Sequence, residues 1–450
     1  MISNKFFLNY FLRGKSIYAL PLSFFTLILC SGIATIAQTK KNKHQIIAIN
    51  AAEISTGTNS KAIINVTIIN GLGGEPLTEG CVLIKDGKIQ EVGKMSDVSI
   101  PAAAEITDAS GMYLLPGFID SHFHLDRTKG LPAKFLQHGV TSIRDPGAWI
   151  ESYDEERKSG KKIPRLFLTG PHFDMPPPAY PYDAYIVRDN YEAIKQVNAL
   201  ADQGATALKI YFRVPPGMIQ AICSTAHQRG IPVTAHLEIT EAMIAIEAGL
   251  DGVEHITSFG LSLLPKREGE KYRQGMLADN NFRKPGRYNM WKDININSAA
   301  ADSLSRYLVR KGTFVSPTLG PFEYQASNGP VDSAKLSGFN NMKAMTAKFN
   351  KAGVRLVLGS HSMIPYAEEG WAYQREMELW VESGIPNTRV IMGATIENAR
   401  YFRIDDRLGS IEKGKIADIV LIKGNPLVDI KAMRDIEKVM LNGVWVASGE

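Results

Sequence analysis

Eight short apolar runs, separated by helical patterns, limit what this chain can fold into. They lie near residues 117–123, 140–144, 165–169, 206–210, 231–236, 252–256, 313–317 and 354–360. Helical patterns such as 191–203 and 240–248 fall between them. This alternation indicates βα units and a parallel sheet. Eight units over residues 116–402 fit an α/β fold, the (β/α)8 TIM barrel, which takes about 250 residues and tolerates insertions. A doubly wound open sheet is the alternative, but no Gly-rich phosphate fingerprint follows any of the runs.

The two ends have a different texture. Residues 61–115 contain strand-like stretches and an Asp86-Gly87 hairpin signal, and residues 403–450 repeat it with Asn442-Gly443. They predict a small β-sandwich built from both ends of the chain. Residues 38–60 are polar and read as a linker. Ahead of them, Lys5, Arg13 and Lys15 precede an apolar stretch that ends in small residues at Ala34 and Ala37. Residues 1–37 thus read as a signal peptide, with cleavage leaving Gln38 first and a periplasmic or secreted product. The stretch is nearly long enough for an uncleaved anchor instead. Cys30 as a lipid-attachment site is disfavoured by the bulk of Leu29. Only Cys81 and Cys223 would then remain, too few for a disulfide framework and in apolar surroundings that suit buried thiols.

The chain has 450 residues and a net charge of +5, enough length for a large core and too little charge to suggest nucleic-acid binding. No membrane association is expected once the signal is removed. Self-association is left open by the sequence.

Histidines mark the strand ends. His122 and His124 close the first run, and residues two apart on a strand face the same way. His236 and His255 end two further runs, and Lys209 sits inside an apolar one. A buried ammonium is costly without a partner, which argues for a modified or metal-bound lysine. His138 and His227 each precede a glycine in a helical segment and read as structural, while His44 lies in the linker and His172 at the base of an insertion. That Pro-rich insertion (171–190) and a basic one (259–297) follow strand ends. They read either as an anion-attracting lid over a barrel mouth or as solvated loops.

These residues, with Pro116 to His124, Gly139 to Asp145, Thr395 to Ala399 and Gly409 to Asp418, resemble the amidohydrolase superfamily, its imidazolonepropionase-like and Xaa-Pro-dipeptidase-like branch. The resemblance covers nearly everything from Ala62 to Ser448 and implies the barrel plus the two-ended β-sandwich. It implies that His122 and His124 hold one divalent metal and His236 and His255 a second, a zinc pair bridged by a carboxylated Lys209. Imidazole suits zinc, and a bridging anion lowers the repulsion between two cations.

One position departs from the family. Its eighth strand normally ends in an aspartate that binds metal and shuttles the proton. Here the segment is Gly359-Ser360-His361, with no aspartate nearby. Imidazole can take both roles, because it binds zinc and titrates near neutrality. The expectation is an exported metal-dependent amidohydrolase that cleaves a C–N bond in a small molecule or short peptide by metal-activated hydroxide. His361 would be its catalytic base, and Tyr211 and Arg144 would contact substrate. For Arg144 a structural ion pair is an equal reading. The competing expectation is a binding protein that kept the fold and lost catalysis through His361.

Overall fold

The computed structural model describes residues 45–125 and 128–446. The expected signal peptide, His44 and the first part of the expected linker lie outside the described residues. All eight runs form strands: β1 (Phe118–Asp120), β2 (Val140–Ile143), β3 (Arg165–Leu166), β4 (Leu208–Ile210), β5 (Val233–His236), β6 (Gly252–Glu254), β7 (Phe314–Ser316) and β8 (Arg355–Leu356). Strands β1 to β3 pair in parallel in one sheet, and β4 to β8 in another. Backbone hydrogen bonds close the ring. Thr206 N donates to Leu168 O at 2.9 Å between the third and fourth strands, and Ser121 N to Leu358 O at 3.1 Å between the first and eighth. The sheet is therefore a barrel and not an open sheet. Its strand residues are nearly all buried, because helices cover the outer faces.

Helices form where caps and an apolar face coincide. The helix Ala299–Lys311 starts at Ser298, whose side chain accepts from Ala301 N, and stops at Gly312, which has φ 66°. It buries Leu304 and Leu308.

A separate eight-stranded sheet draws on both ends of the chain. Lys61–Ile68 is its centre; Tyr113–Pro116 lies beside it and pairs in turn with Ile419–Ile422. The sheet wraps its own core, which includes Ile63, Val82, Leu114, Ile419 and Met440. Both hairpin signals hold: Asp86-Gly87 and Asn442-Gly443 have φ of 51°, 70°, 54° and 76°. Two consecutive left-handed residues are what a tight two-residue hairpin needs. Asp418 joins sheet to barrel, since its Oδ1 accepts from Arg165 Nη2 at 3.0 Å and from Asn442 N at 2.7 Å. Cys81 and Cys223 are buried free thiols.

Two stretches differ from expectation. Residues 45–50 are partly packed and not a free linker: Ile46 and Ala48 are buried while Gln45 and Ile47 are exposed, and Asn50 bonds both Pro164 O and Leu166 N beside β3. A polar side chain hid this role, because it satisfies backbone groups at the strand edge. The basic insertion is mostly helical, with Lys266–Ala278 and Arg283–Lys292. The second of these packs on the helix Ser333–Ala352 at Gly338, where a Cβ would lie 2.8 Å from Tyr288 O. Among the described residues no helix is long and apolar enough to cross a membrane.

Candidate active site

The C-terminal strand ends hold the histidines. His122 and His124 follow β1, His236 ends β5, His255 follows β6, and His361 lies beyond β8. Together with Lys209 and Tyr211 they line one cavity of about 240 Å³. His122 Nε2 and His124 Nε2 are 3.1 Å apart. The His361 ring stacks on that of His122, with centroids 5.1 Å apart and planes at 10°. The His255 centroid is 4.6 Å from His122 and 4.5 Å from His236.

Buried polar groups fasten these residues to the barrel. Asp120 Oδ1 accepts from His122 N at 3.0 Å and from Ser360 N at 2.9 Å, strapping the first strand end to the eighth. Asn398 donates to Ile119 O and Leu358 O below the same seam. His255, Thr318 and His361 have φ of 65°, 49° and 49°. Such left-handed non-glycine residues are uncommon, and three of them at successive strand ends mark a site held in shape by its surroundings.

Each metal-ligand candidate among the histidines has one ring nitrogen engaged from behind. His122 Nδ1 meets Glu254 Oε2 at 2.8 Å, and His255 Nδ1 meets Thr318 Oγ1 at 2.6 Å. His236 Nε2 meets Glu238 Oε1 at 2.9 Å, and His124 Nδ1 is 3.4 Å from Asp145 Oδ1. With the engaged nitrogen donating, the opposite one would offer its lone pair to a metal, the second-sphere pattern of metal-binding imidazoles. Burial pushes His122 and His236 down to about 3, and His255 and His361 well below their ordinary value. The rings are therefore neutral at pH 7.

These residues fit a divalent ion. Donor atoms of His122, His124 and His361 lie within 4.8 Å of one another. Two nitrogens on one zinc, each at about 2.0–2.1 Å, sit about 3 Å apart. The Nδ1 of His361 is buried without a hydrogen-bond partner among the described residues. Lys209 also fits a charged, crowded site. Burial lowers its ammonium to about 8 against the pull of Glu254 and Asp145.

Residues 113–446 match the sequence profile of the Amidohydrolase family. The chain belongs to the amidohydrolase family. This amidohydrolase is 24% identical to an adenine deaminase of Moorella thermoacetica over 424 residues, 90% of this chain and 60% of that protein. An 85-residue stretch is 40% identical to an adenine deaminase of Listeria welshimeri, 18% of this chain and 14% of the relative. The chain thus spans less than two thirds of the length of these relatives. In fold it is similar to a Xaa-Pro dipeptidase solved with methionine in its active site, with TM-score 0.67, 21% identity, and 86% and 99% of the two chains covered.

Arg144 stands apart from the other expected site residues of this amidohydrolase. It does not line the cavity. Its guanidinium is fully buried over the rings of Phe402 and Tyr401, 3.9 and 4.5 Å from their centroids. The side chain packs within the fold, so a substrate carboxylate in the cavity does not meet it. His138 and His227 are structural: His138 stacks on Trp371 at 3.6 Å, and His227 Nε2 meets Asp251 at 2.8 Å.

Sequence reasoning missed several residues of the site. Glu254, Glu238 and Asp145 are buried behind the histidines, and His172, Tyr180, Asp183 and Arg287 line the cavity. A glutamate inside the apolar run Gly252-Val253-Glu254 was a usable signal, since a carboxylate there needs a partner. Burial alone would raise the Glu254 carboxyl, but Lys209 and His122 hold it well below the usual range. Arg287 comes from the basic insertion and pairs with Glu238 at 2.6 Å. Only the tertiary fold brings that helix over the mouth.

Proposed function

We propose that this amidohydrolase is an exported, metal-dependent hydrolase of a C–N bond in an amide, peptide or cyclic amide. The observation that carries this reading is the shared cavity of His122, His124, Lys209, His236, His255 and His361, with one ring nitrogen of His122, His236 and His255 held by a buried side chain. In this reading His122, His124 and His361 would hold one divalent ion and His236 and His255 another, with Lys209, once carboxylated, as a further anionic ligand. Bound divalent metal, zinc by the nitrogen-rich donor set, supplies Lewis acidity and acidifies water near neutral pH.

The chain's own residues do the rest. His361 takes the proton that the attacking water loses and returns it to the leaving nitrogen, so the amide and water become an acid and an amine. Tyr211 donates its hydroxyl to the substrate carbonyl oxygen and keeps it turned toward the histidines. The adjoining Leu125, Pro146, Phe322 and Met363 give the cavity an apolar lining. The competing reading, a binding protein without catalysis, gains its support from histidine in place of aspartate at residue 361.

Elemental analysis and a hydrolysis panel test the proposal together. The panel holds N-acyl amino acids, Xaa-Pro dipeptides and cyclic amides. Near two metals per chain with turnover of at least one class supports it. A protein that stays metal-free and inactive after zinc loading overturns it. Export is tested separately by N-terminal sequencing of the mature protein, which should begin near Gln38.

A further inference from the structure

We infer that a groove beside the catalytic cavity is an anion subsite, and that the substrates carry a carboxylate at a distance from the bond that is cut. The inference rests on the proposed amide hydrolysis and names its substrate class. The groove holds about 510 Å³ and shares Tyr180, Arg287 and Gln325 with the catalytic cavity. A molecule seated at the histidines therefore reaches it without leaving the protein surface. Arg283, Lys284, Arg287 and Lys335 line the groove, and no aspartate or glutamate does.

These cations are not equivalent. Glu238 neutralises Arg287 at 2.6 Å. Among the described residues no carboxylate lies within 4.0 Å of the charged groups of Arg283, Lys284 or Lys335. Arg283 is only 4% exposed, and its Nη1 has no hydrogen-bond partner. Its Nη2 donates to Tyr180 Oη at 2.5 Å, and the guanidinium lies 4.8 Å from the centre of that ring. An exposed lysine without a partner is ordinary, but a buried guanidinium with a spare donor is not. Its planar fork matches a carboxylate. Tyr180, Tyr288 and Tyr324 give the groove aromatic walls that suit an apolar spacer between the amide and the anion. A concave surface of one sign also concentrates anions before they dock.

The test uses the full-length metal-loaded protein with glutarate, its uncharged diamide glutaramide, and inorganic phosphate as calorimetric probes. The variants are Arg283→Met and Lys335→Glu. Glutarate should bind and glutaramide should not, and each variant should weaken glutarate at least about tenfold, the scale of a lost charge-assisted contact. In kinetics, one amide made with a distal carboxylate or carboxamide should show the same selectivity, as a raised KM in the variants with little change in kcat. Lys335 is half-buried in the first turn of its helix, so Lys335→Glu carries the test if Arg283→Met does not fold. Equal binding of glutarate and glutaramide, tighter binding of phosphate, or glutarate affinity untouched by Lys335→Glu overturns the subsite. Variant-sensitive glutarate binding with no amide hydrolysed leaves the subsite standing and overturns the hydrolase reading alone.

Discussion

The backbone amide of His361 donates to the carbonyl of His122 at 2.6 Å, and their imidazoles stack. A residue from the last strand end is thereby locked in register with the first. His361 thus has one defined place in the cavity, over the pair formed by His122 and His124.

That lock makes residue 361 decisive. His361→Ala should lower kcat by about two orders of magnitude or more, the scale of a lost acid–base group. His361→Asp should keep or raise activity, because aspartate tolerates the left-handed backbone there and restores the family's usual residue. Steady-state kinetics on the best panel substrate decide it. Unchanged turnover in His361→Ala would remove the residue from the proton path.

The carboxylates behind the ligands should matter to metal affinity. Glu254→Gln and Asp145→Asn each leave the facing histidine in place but weaken its orientation. Zinc affinity should fall about 10–100-fold in each, as for lost outer-sphere partners elsewhere. Chelator competition, with circular dichroism to show that the fold is intact, measures this.

Arg287 and Glu238 form a buried pair, 8% and 0% exposed at their side chains. Removing one partner strands the other charge. Arg287→Met should therefore cost about 3–5 kcal/mol in urea unfolding. The double variant Arg287→Met/Glu238→Gln should recover part of that loss, because it removes both charges.

Glu376 predicts a pH dependence away from the histidines. It is fully buried, and burial lifts its carboxyl to about 7 against the N–H groups of Leu319, Gly320 and Trp380, which lower it. An unfolded glutamate titrates near 4.5. The folded state therefore binds the proton more tightly between those values. Its contribution is complete below pH 4.5 and is lost as pH rises through about 7, by up to about 3 kcal/mol. Glu376→Gln should flatten the slope of stability between pH 5 and 8 in denaturant titrations. An equal slope in both proteins would rule the group out as its source.

The barrel was legible in the sequence because its signals are local. Apolar runs and turns such as Asp86-Gly87 and Asn442-Gly443 depend on neighbours a few residues away, and the structure places the runs on strands and both turns in hairpins. The strand-end histidines were legible for the same reason: in a parallel barrel the end of a strand is the mouth. What surrounds them was decided only by tertiary structure. Arg144 occupies a strand end too, yet its side chain packs on Tyr401 and Phe402, residues more than 250 positions away. Arg287 looked like one of many charges in an insertion, and helix packing at Gly338 and Tyr288 brings it to Glu238 and the cavity. Local patterns determine which elements form and where they end. Side-chain partners across the barrel depend on how distant segments close on one another, and no spacing along the chain encodes that.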